Sequence, residues 1–251
     1  MQANNPILTR SILNLGGVGV DVLAENGSVT LEQADAADIY YNGAAVAVMP
    51  LQAAAAAIEL ISSSGVDDVG GTGALTVEVG GLDGSYNWVT ETFTLTGAVA
   101  VVGTQLFMRV MRMIVLTAGT GLTNAGNIDA QAVGGGQVWD RIVALEGRNQ
   151  HSLITVPAGK TLWVVHWVCS FNALIAAEIH VKHRPYEGAW LVHDKRFCYL
   201  GGEIGEQHLI QLPEPIPAKT DIKMYVSVGG ACKVSSHMRG FLTNDTFARH
   251  E

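Results

Sequence analysis

Trp163-Val164-Val165-His166-Trp167-Val168-Cys169-Ser170-Phe171 is the stretch that decides the fold class. Its odd positions, Trp163, Val165, Trp167, Cys169 and Phe171, form an apolar row. Side chains alternate across a strand, so the row predicts a strand with one face turned to a core. The pattern returns elsewhere. Ile222, Met224, Val226 and Val228 make a second row, and Leu75, Val77 and Val79 a third. Phe93 and Leu95 point one way while Thr92, Thr94 and Thr96 point the other. Glycine pairs punctuate the chain at 16–17, 70–71, 80–81, 201–202 and 229–230, within a total of 29 glycines. Short strands between frequent turn signals argue for a sandwich or barrel. The expected fold is all-β: an antiparallel, jelly-roll-like β-sandwich, in one domain or two packed β domains with an N-terminal arm.

The expected divisions are 1–50 (arm or first strands), 51–148 (a β domain) and 149–251 (a C-terminal β-sandwich). The glycine run 134–136 and the charged stretch 140–148 precede the second boundary. Two segments are ambiguous. Ala53 to Ala57 favours a short helix within 50–64, alanine being the best helix former. Leu106 to Leu116 carries apolar residues on both faces of a strand, which suits a doubly buried or interfacial strand; a helix is the other option. Val156-Pro157-Ala158-Gly159-Lys160-Thr161 and Ile216-Pro217-Ala218-Lys219-Thr220 recur before apolar strands. Proline lacks the ladder donor, so both read as turns entering sheets.

Composition narrows the function. The chain is 48% hydrophobic and 15% charged, against about a quarter charged in typical soluble domains. No stretch approaches the ~18 apolar residues of a spanning helix, so no membrane is expected. The start, MQANNPILTR, lacks the basic and apolar regions of a signal peptide, so synthesis in the cytosol is expected. A net charge of -8 with no basic run beyond His180-Val181-Lys182-His183-Arg184 argues against nucleic acid. Cys169, Cys198 and Cys232 are odd in number and far apart, which argues against a disulfide framework.

No constellation makes an active site, and neither enzyme nor cofactor is expected. Gly16-Gly17-Val18-Gly19 lacks the dinucleotide-loop spacing. His180 and His183 fall on opposite faces of a strand, so one metal cannot easily take both. Asp67-Asp68 and Asp83 read as turn residues rather than calcium ligands. Ser235, Ser236 and His237 lack a nucleophile elbow. Glu187, Glu203, Glu206 and Glu214 could supply a glycosidase pair, but nothing singles one out. Trp190, near the turn at Tyr186-Glu187-Gly188, is the best aromatic candidate for an interface or ligand contact.

Several motifs in fixed order carry a resemblance. Gly71-Thr72-Gly73-Ala74 leads into Leu75-Thr76-Val77; Gly81-Leu82-Asp83, Glu91 to Thr96, Phe107 to Arg112 and Thr123-Asn124-Ala125-Gly126-Asn127-Ile128 follow. The second half adds Thr155 to Thr161, a basic strand ending at Arg184-Pro185, and Pro217 to Lys223. Over residues 57–128 and 151–244 the chain resembles virion structural proteins of marine tailed bacteriophages. The resemblance implies β-sandwich proteins that decorate heads or build tail and fibre parts, and it implies a strand near 58–61 instead of a helix. The expected role is therefore a capsid decoration or cement protein in the virion, assembled in the host cytoplasm. Its expected partners are the major capsid protein, other virion proteins and itself, as a homotrimer. The alternatives are a tail component (fibre, baseplate or adaptor) and a carbohydrate-binding module on a fibre. Candidate interface residues are Ile7, Leu8, Ile12, Leu13 and Leu15 of the arm, with Arg109, Arg112 and Trp190.

Overall fold

The computed structural model describes residues 8–9, 21–31, 35–38, 40–41, 50–171, 176–199, 206–209, 215–230 and 232–245. In chain order the strands are β1 (Leu8–Thr9), β2 (Asp21–Leu31), β3 (Asp35–Asp38), β4 (Tyr40–Tyr41), β5 (Ala56–Ser62), β6 (Ala74–Leu82) and β7 (Trp88–Thr94). Then come β8 (Val101–Phe107), β9 (Arg109–Ala118), β10 (Ile128–Ala132), β11 (Val138–Ile142), β12 (Gln150–His151) and β13 (Ile154–Thr155). The last are β14 (Lys160–Phe171), β15 (Ala176–Arg184), β16 (Leu191–Tyr199), β17 (Glu206–Leu209), β18 (Pro215–Ile216), β19 (Asp221–Val228) and β20 (Cys232–Asn244). Among the described residues there is no α-helix, so the all-β expectation holds. The chain forms two compact units, one of residues 1–40 with 151–251 and one of residues 41–150.

The 41–150 unit is a sandwich of two antiparallel sheets, ordered β11-β10-β5-β8 and β7-β6-β9. Ile58, Leu60, Phe107, Ile128, Ala130 and Ile142 from the first sheet meet Val77, Val79, Phe93, Val110 and Met113 from the second in one core. Full burial of such side chains contributes about 1.5–3 kcal/mol each. The alanine run does not become helix. Residues 50–55 are irregular and β5 starts at Ala56, because Ile58 and Leu60 are needed in the core and packing overrides propensity.

The Leu106 to Leu116 segment is not one strand. It breaks at Met108, where β8 of one sheet ends and β9 of the other begins. The Met108 N–H donates to the Leu82 carbonyl at 2.6 Å, which pins the corner. The chain changes sheets there, which accounts for apolar residues on both apparent faces. Gly81 makes the approach possible: a Cβ at that position would lie 1.9 Å from the Arg109 carbonyl oxygen.

The other unit also holds two antiparallel sheets. In one, β14 lies between β20 and β17, with β18 also on β14 and β2 and β1 beyond β20. The other is ordered β13-β19-β15-β16, with β3 also on β19. Residues 1–40 group with 151–251 because β2 pairs with β20 along its whole length, from Asp21↔Leu242 to Leu31↔Cys232. The apolar row of β19 is buried throughout. The row of β14 needs a correction. A bulge between Val164 and His166 shifts its phase, so Leu162 and Val164 are buried before it and Trp167 and Cys169 after it. Trp163 instead stacks on Phe241, and its indole N–H donates to Thr243 Oγ1 at 3.0 Å.

Candidate functional site

Several polar residues of the 41–150 unit hold loops. Asp67 is fully buried. Its Oδ1 accepts the N–H groups of Ala74 and Ala125 at 2.8 and 2.7 Å. Its Oδ2 accepts the Gly126 N–H at 2.9 Å and the Ser62 hydroxyl at 2.6 Å. Asn124, also fully buried, donates to the Gly126 and Val143 carbonyls and accepts the Gly147 N–H. The Gly-Thr-Gly-Ala and Thr-Asn-Ala-Gly-Asn motifs that carry the resemblance thus meet at one carboxylate. With four donors already on its oxygens, Asp67 is a loop lock and a poor cation ligand. Asp83 accepts the Ser85 and Asn87 N–H groups in an Asx-type turn. Glu91 accepts the N–H and hydroxyl of Thr104 and the N–H of Gln105.

Among the described residues, the other candidate groups are not brought together for chemistry. Ser235 faces Ser170 at 2.5 Å, while His237 accepts from Arg239 at 2.6 Å, so this serine and histidine form no nucleophile–base pair. Cys169 and Cys232 are buried and in no disulfide, and burial pushes the Cys232 thiol up, away from the thiolate form. His180 lies against Glu178, and His183 meets the His193 ring edge-on. Gly16 to Gly19, Glu203 and Glu214 lie outside the described residues.

Arg109 and Arg112 sit inside the 41–150 unit and not on its surface, at 4% and 7% exposure. Arg112 donates to Glu78 at 2.7 Å. Arg109 donates to the carbonyls of Gln52 and Met108 and lies over the Tyr86 ring. Of the arm residues, Leu8 pairs with Leu23 through β1 and β2, and Ile7, Ile12, Leu13 and Leu15 lie outside the described residues.

Trp190 belongs to a larger arrangement. Strand alternation turns Ile179 and Val181 of β15, and Ile222, Met224 and Val226 of β19, into the core. The opposite face then carries His180, Lys182 and Arg184 beside Asp221, Lys223 and Tyr225. Lys182 Nζ lies 3.4 Å from the centre of the Tyr225 ring. Arg184 and Lys223 both approach Trp190, with the guanidinium carbon and Nζ at 5.2 and 4.2 Å from the ring centre. Arg184 also pairs with Asp221, whose Oδ1 accepts the Thr155 hydroxyl at 2.6 Å. Just beyond the paired residues Arg184 and Asp221, Lys219 Nζ lies 4.8 Å from the centre of the half-exposed Tyr186 ring. Each cation–ring contact contributes about 0.5–1 kcal/mol where exposed and about 2 where desolvated, which biases where the cations point.

All six lysines of the chain lie within residues 151–251; Lys182, Arg184 and the buried Lys223 stand on this face and Lys219 just beyond its end. In a chain of net charge -8 this is a local reversal of sign. The sequence flagged Trp190 and the His180-to-Arg184 run separately. Their union with β19 needed the register, since Lys223 and Tyr225 come from 40 residues further along, and a single-strand reading cannot supply it.

No protein-family model matches the chain, and no curated protein matches it. Among solved structures, infectious bursal disease virus of the Gt strain aligns at 11% identity over 90% of this chain and 73% of that one, with a TM-score of 0.27. The VP2 subviral particle of the same virus aligns at 11% identity over 90% and 72%, with a TM-score of 0.26. The Gx strain gives 11% identity over 89% and 72%, with a TM-score of 0.25. Scores this low carry no argument about fold or role.

Proposed function

We propose that this chain is a non-enzymatic structural protein of a tailed-phage virion, and specifically a decoration or cement protein that binds the assembled head shell as a homotrimer. The observation that carries the reading is the contrast between two kinds of polar residue. The buried carboxylate of Asp67 is saturated by loop donors, whereas the cations of the β15–β19 face lie over aromatic rings, Lys182 on Tyr225 and the buried Lys223 on Trp190. The first arrangement suits mechanical stability and the second suits docking. Neither places a nucleophile beside a base. A decoration protein acts by mass action: it binds the shell and not the free subunits, so it shifts the equilibrium toward the shell. An oligomer engages several shell subunits at once, and effective concentration raises its avidity.

The deciding experiment mixes purified full-length protein with undecorated shells, then measures co-sedimentation and locates the protein by electron cryomicroscopy. Saturable binding to the shell at hundreds of copies is expected. A position in the tail at a few tens of copies or fewer overturns the decoration reading in favour of a fibre, baseplate or adaptor subunit. Light scattering is expected to show a trimer at micromolar concentration, and a stable monomer there removes the trimer from the proposal.

A further inference from the structure

Lys219 stands where the fold favours glycine. The turns Pro157-Ala158-Gly159 and Pro217-Ala218-Lys219 end on matching left-handed backbone, with φ of 67° at Gly159 and 63° at Lys219. They lie side by side, the Lys219 N–H donating to the Val156 carbonyl and the Val156 N–H to the Thr220 carbonyl. Left-handed backbone disfavours residues with a Cβ, so the Gly159 turn is the relaxed solution and the Lys219 turn the strained one. The facing turn repeats the choice: Glu187 has φ 58° although Gly188 is next to it. A further unfavourable choice lies close by, where Lys182 and Lys223 are direct cross-strand partners of like charge. Of the five non-glycine residues with positive φ among the described residues, Glu187 and Lys219 fall at this corner, the others being Tyr86, Leu122 and Leu145. What sets the corner apart is that strain and a like-charge pair meet there and both bring in cations, with Lys223 itself buried beneath.

We propose that this corner, with Lys182, Arg184 and Lys219 as its contact cations beside Tyr186 and Trp190, docks a carboxylate-rich polypeptide surface of the assembly the protein joins. The location of that surface on the shell rests on the function proposed above; its chemistry rests on charge complementarity. Arg184 gives Nε and Nη2 to Asp221, which leaves Nη1 as its donor to a further carboxylate, and Lys182 and Lys219 add point charges beside it. A protein surface fits better than a polysaccharide. A sugar ring would stack on the faces of Tyr225 and Trp190, and Lys182 and Lys223 already cover a face of each.

The test uses the full-length protein and its Lys219→Gly, Lys219→Arg and Lys182→Gln variants. The probes are a labelled glutamate decapeptide, a polyuronate chain and undecorated shells. Lys219→Gly is expected to melt about 2–4 °C higher, as relief of one strained residue predicts for a unit of this size. It is expected to bind the decapeptide and the shells about 5–10-fold more weakly, with a shallower salt dependence, as loss of one contact charge predicts. Lys182→Gln is expected to weaken both in the same way, and Lys219→Arg to keep wild-type affinity. A Lys219→Gly protein that melts lower, or that binds the decapeptide as the wild type does, overturns the inference. So does a loss seen with polyuronate and not with the peptide. Shell coating indifferent to Lys219 removes this site and leaves the decoration reading standing. Lys219-dependent peptide binding without any shell binding removes the decoration reading and leaves the site.

Discussion

The Asp67 carboxylate accepts the Gly126 N–H at 2.9 Å across 59 positions of chain. Ala125 donates from the same loop, and Ala74 and Ser62 come from two further places, so one side chain closes the loops that lead into β6 and β10. Asp67→Ala leaves three N–H groups without an acceptor, at about 1–3 kcal/mol each. The expected loss exceeds ~3 kcal/mol, a large part of the 5–15 kcal/mol that holds a domain together. Asp67→Asn keeps the shape and sets an amide N–H₂ against backbone donors, so it is expected to lose nearly as much. Urea denaturation followed by tryptophan fluorescence checks both. A change under about 1 kcal/mol for the alanine variant contradicts the lock.

The sequence made the strands legible wherever alternation was undisturbed. The β19 row and the pair Phe93 and Leu95 are buried as the period of two required. Reading failed where the phase changed. The bulge at Val164 to His166 hides in a continuous apolar run, because one extra residue alters the facing without altering composition. The corner at Met108 hides for the same reason, since both of its arms are apolar. Asp67 was legible as a turn residue, but its partners lie as far as 59 positions away, beyond any local pattern. The basic face was half legible: β15 announces its cations and the Pro-Ala recurrence aligns Lys219 with Gly159, while the positive φ they share is visible only in the backbone.

Glu59 gives the 41–150 unit an acid-sensitive contact. Its carboxylate accepts the Gly134 and Gly135 N–H groups at 2.9 Å and the Gln131 side-chain amide at 2.7 Å. The Gly134 N–H is the main cause that holds its carboxyl below the ordinary value; the Gln131 and Gly135 donors help, and partial desolvation opposes them. A carboxyl depressed by folding stabilises fully above its unfolded pKa, and that contribution is lost as pH falls through the lower folded value. Glu59→Gln is therefore expected to be less stable than wild type at pH 7, with the difference shrinking as acid is added. Thermal melts from pH 7 downward measure it. A difference independent of pH rules out the charged contact as its source.

Gly81 lets the sheet-switching corner close. A Cβ there meets the Arg109 carbonyl oxygen at 1.9 Å and the Phe107 ring at 3.1 Å. The first contact is with backbone that β6–β9 pairing holds in place, so rotamer changes cannot relieve it. Gly81→Ala is expected to cost more than ~2 kcal/mol through overpacking and loss of register. By contrast, Gly134 has open space around a Cβ and a positive φ of 86°, so Gly134→Ala costs only the backbone term, about 1 kcal/mol. Chemical denaturation of the pair orders them, and equal losses would show that the corner tolerates movement.

Removing residues 1–15 tests the arm directly. Within the described residues this deletes β1, a two-residue edge strand paired with β2 through Leu8↔Leu23 and Thr9↔Val22. β2 keeps its full pairing with β20, so the fold is expected to survive with a loss of about 1 kcal/mol or less, as for a short edge pair. The apolar residues removed, Ile7, Leu8, Ile12, Leu13 and Leu15, need a partner surface if they form an arm, and ordering on binding would add contact area there. The truncated protein is then expected to melt close to wild type, to keep its oligomeric state and to lose shell binding. If it coats shells with unchanged affinity, those residues belong to the edge of the sheet and the shell contact lies elsewhere. If it falls apart into monomers, the same residues hold copies of the chain together, and the arm is a subunit contact instead of a shell contact.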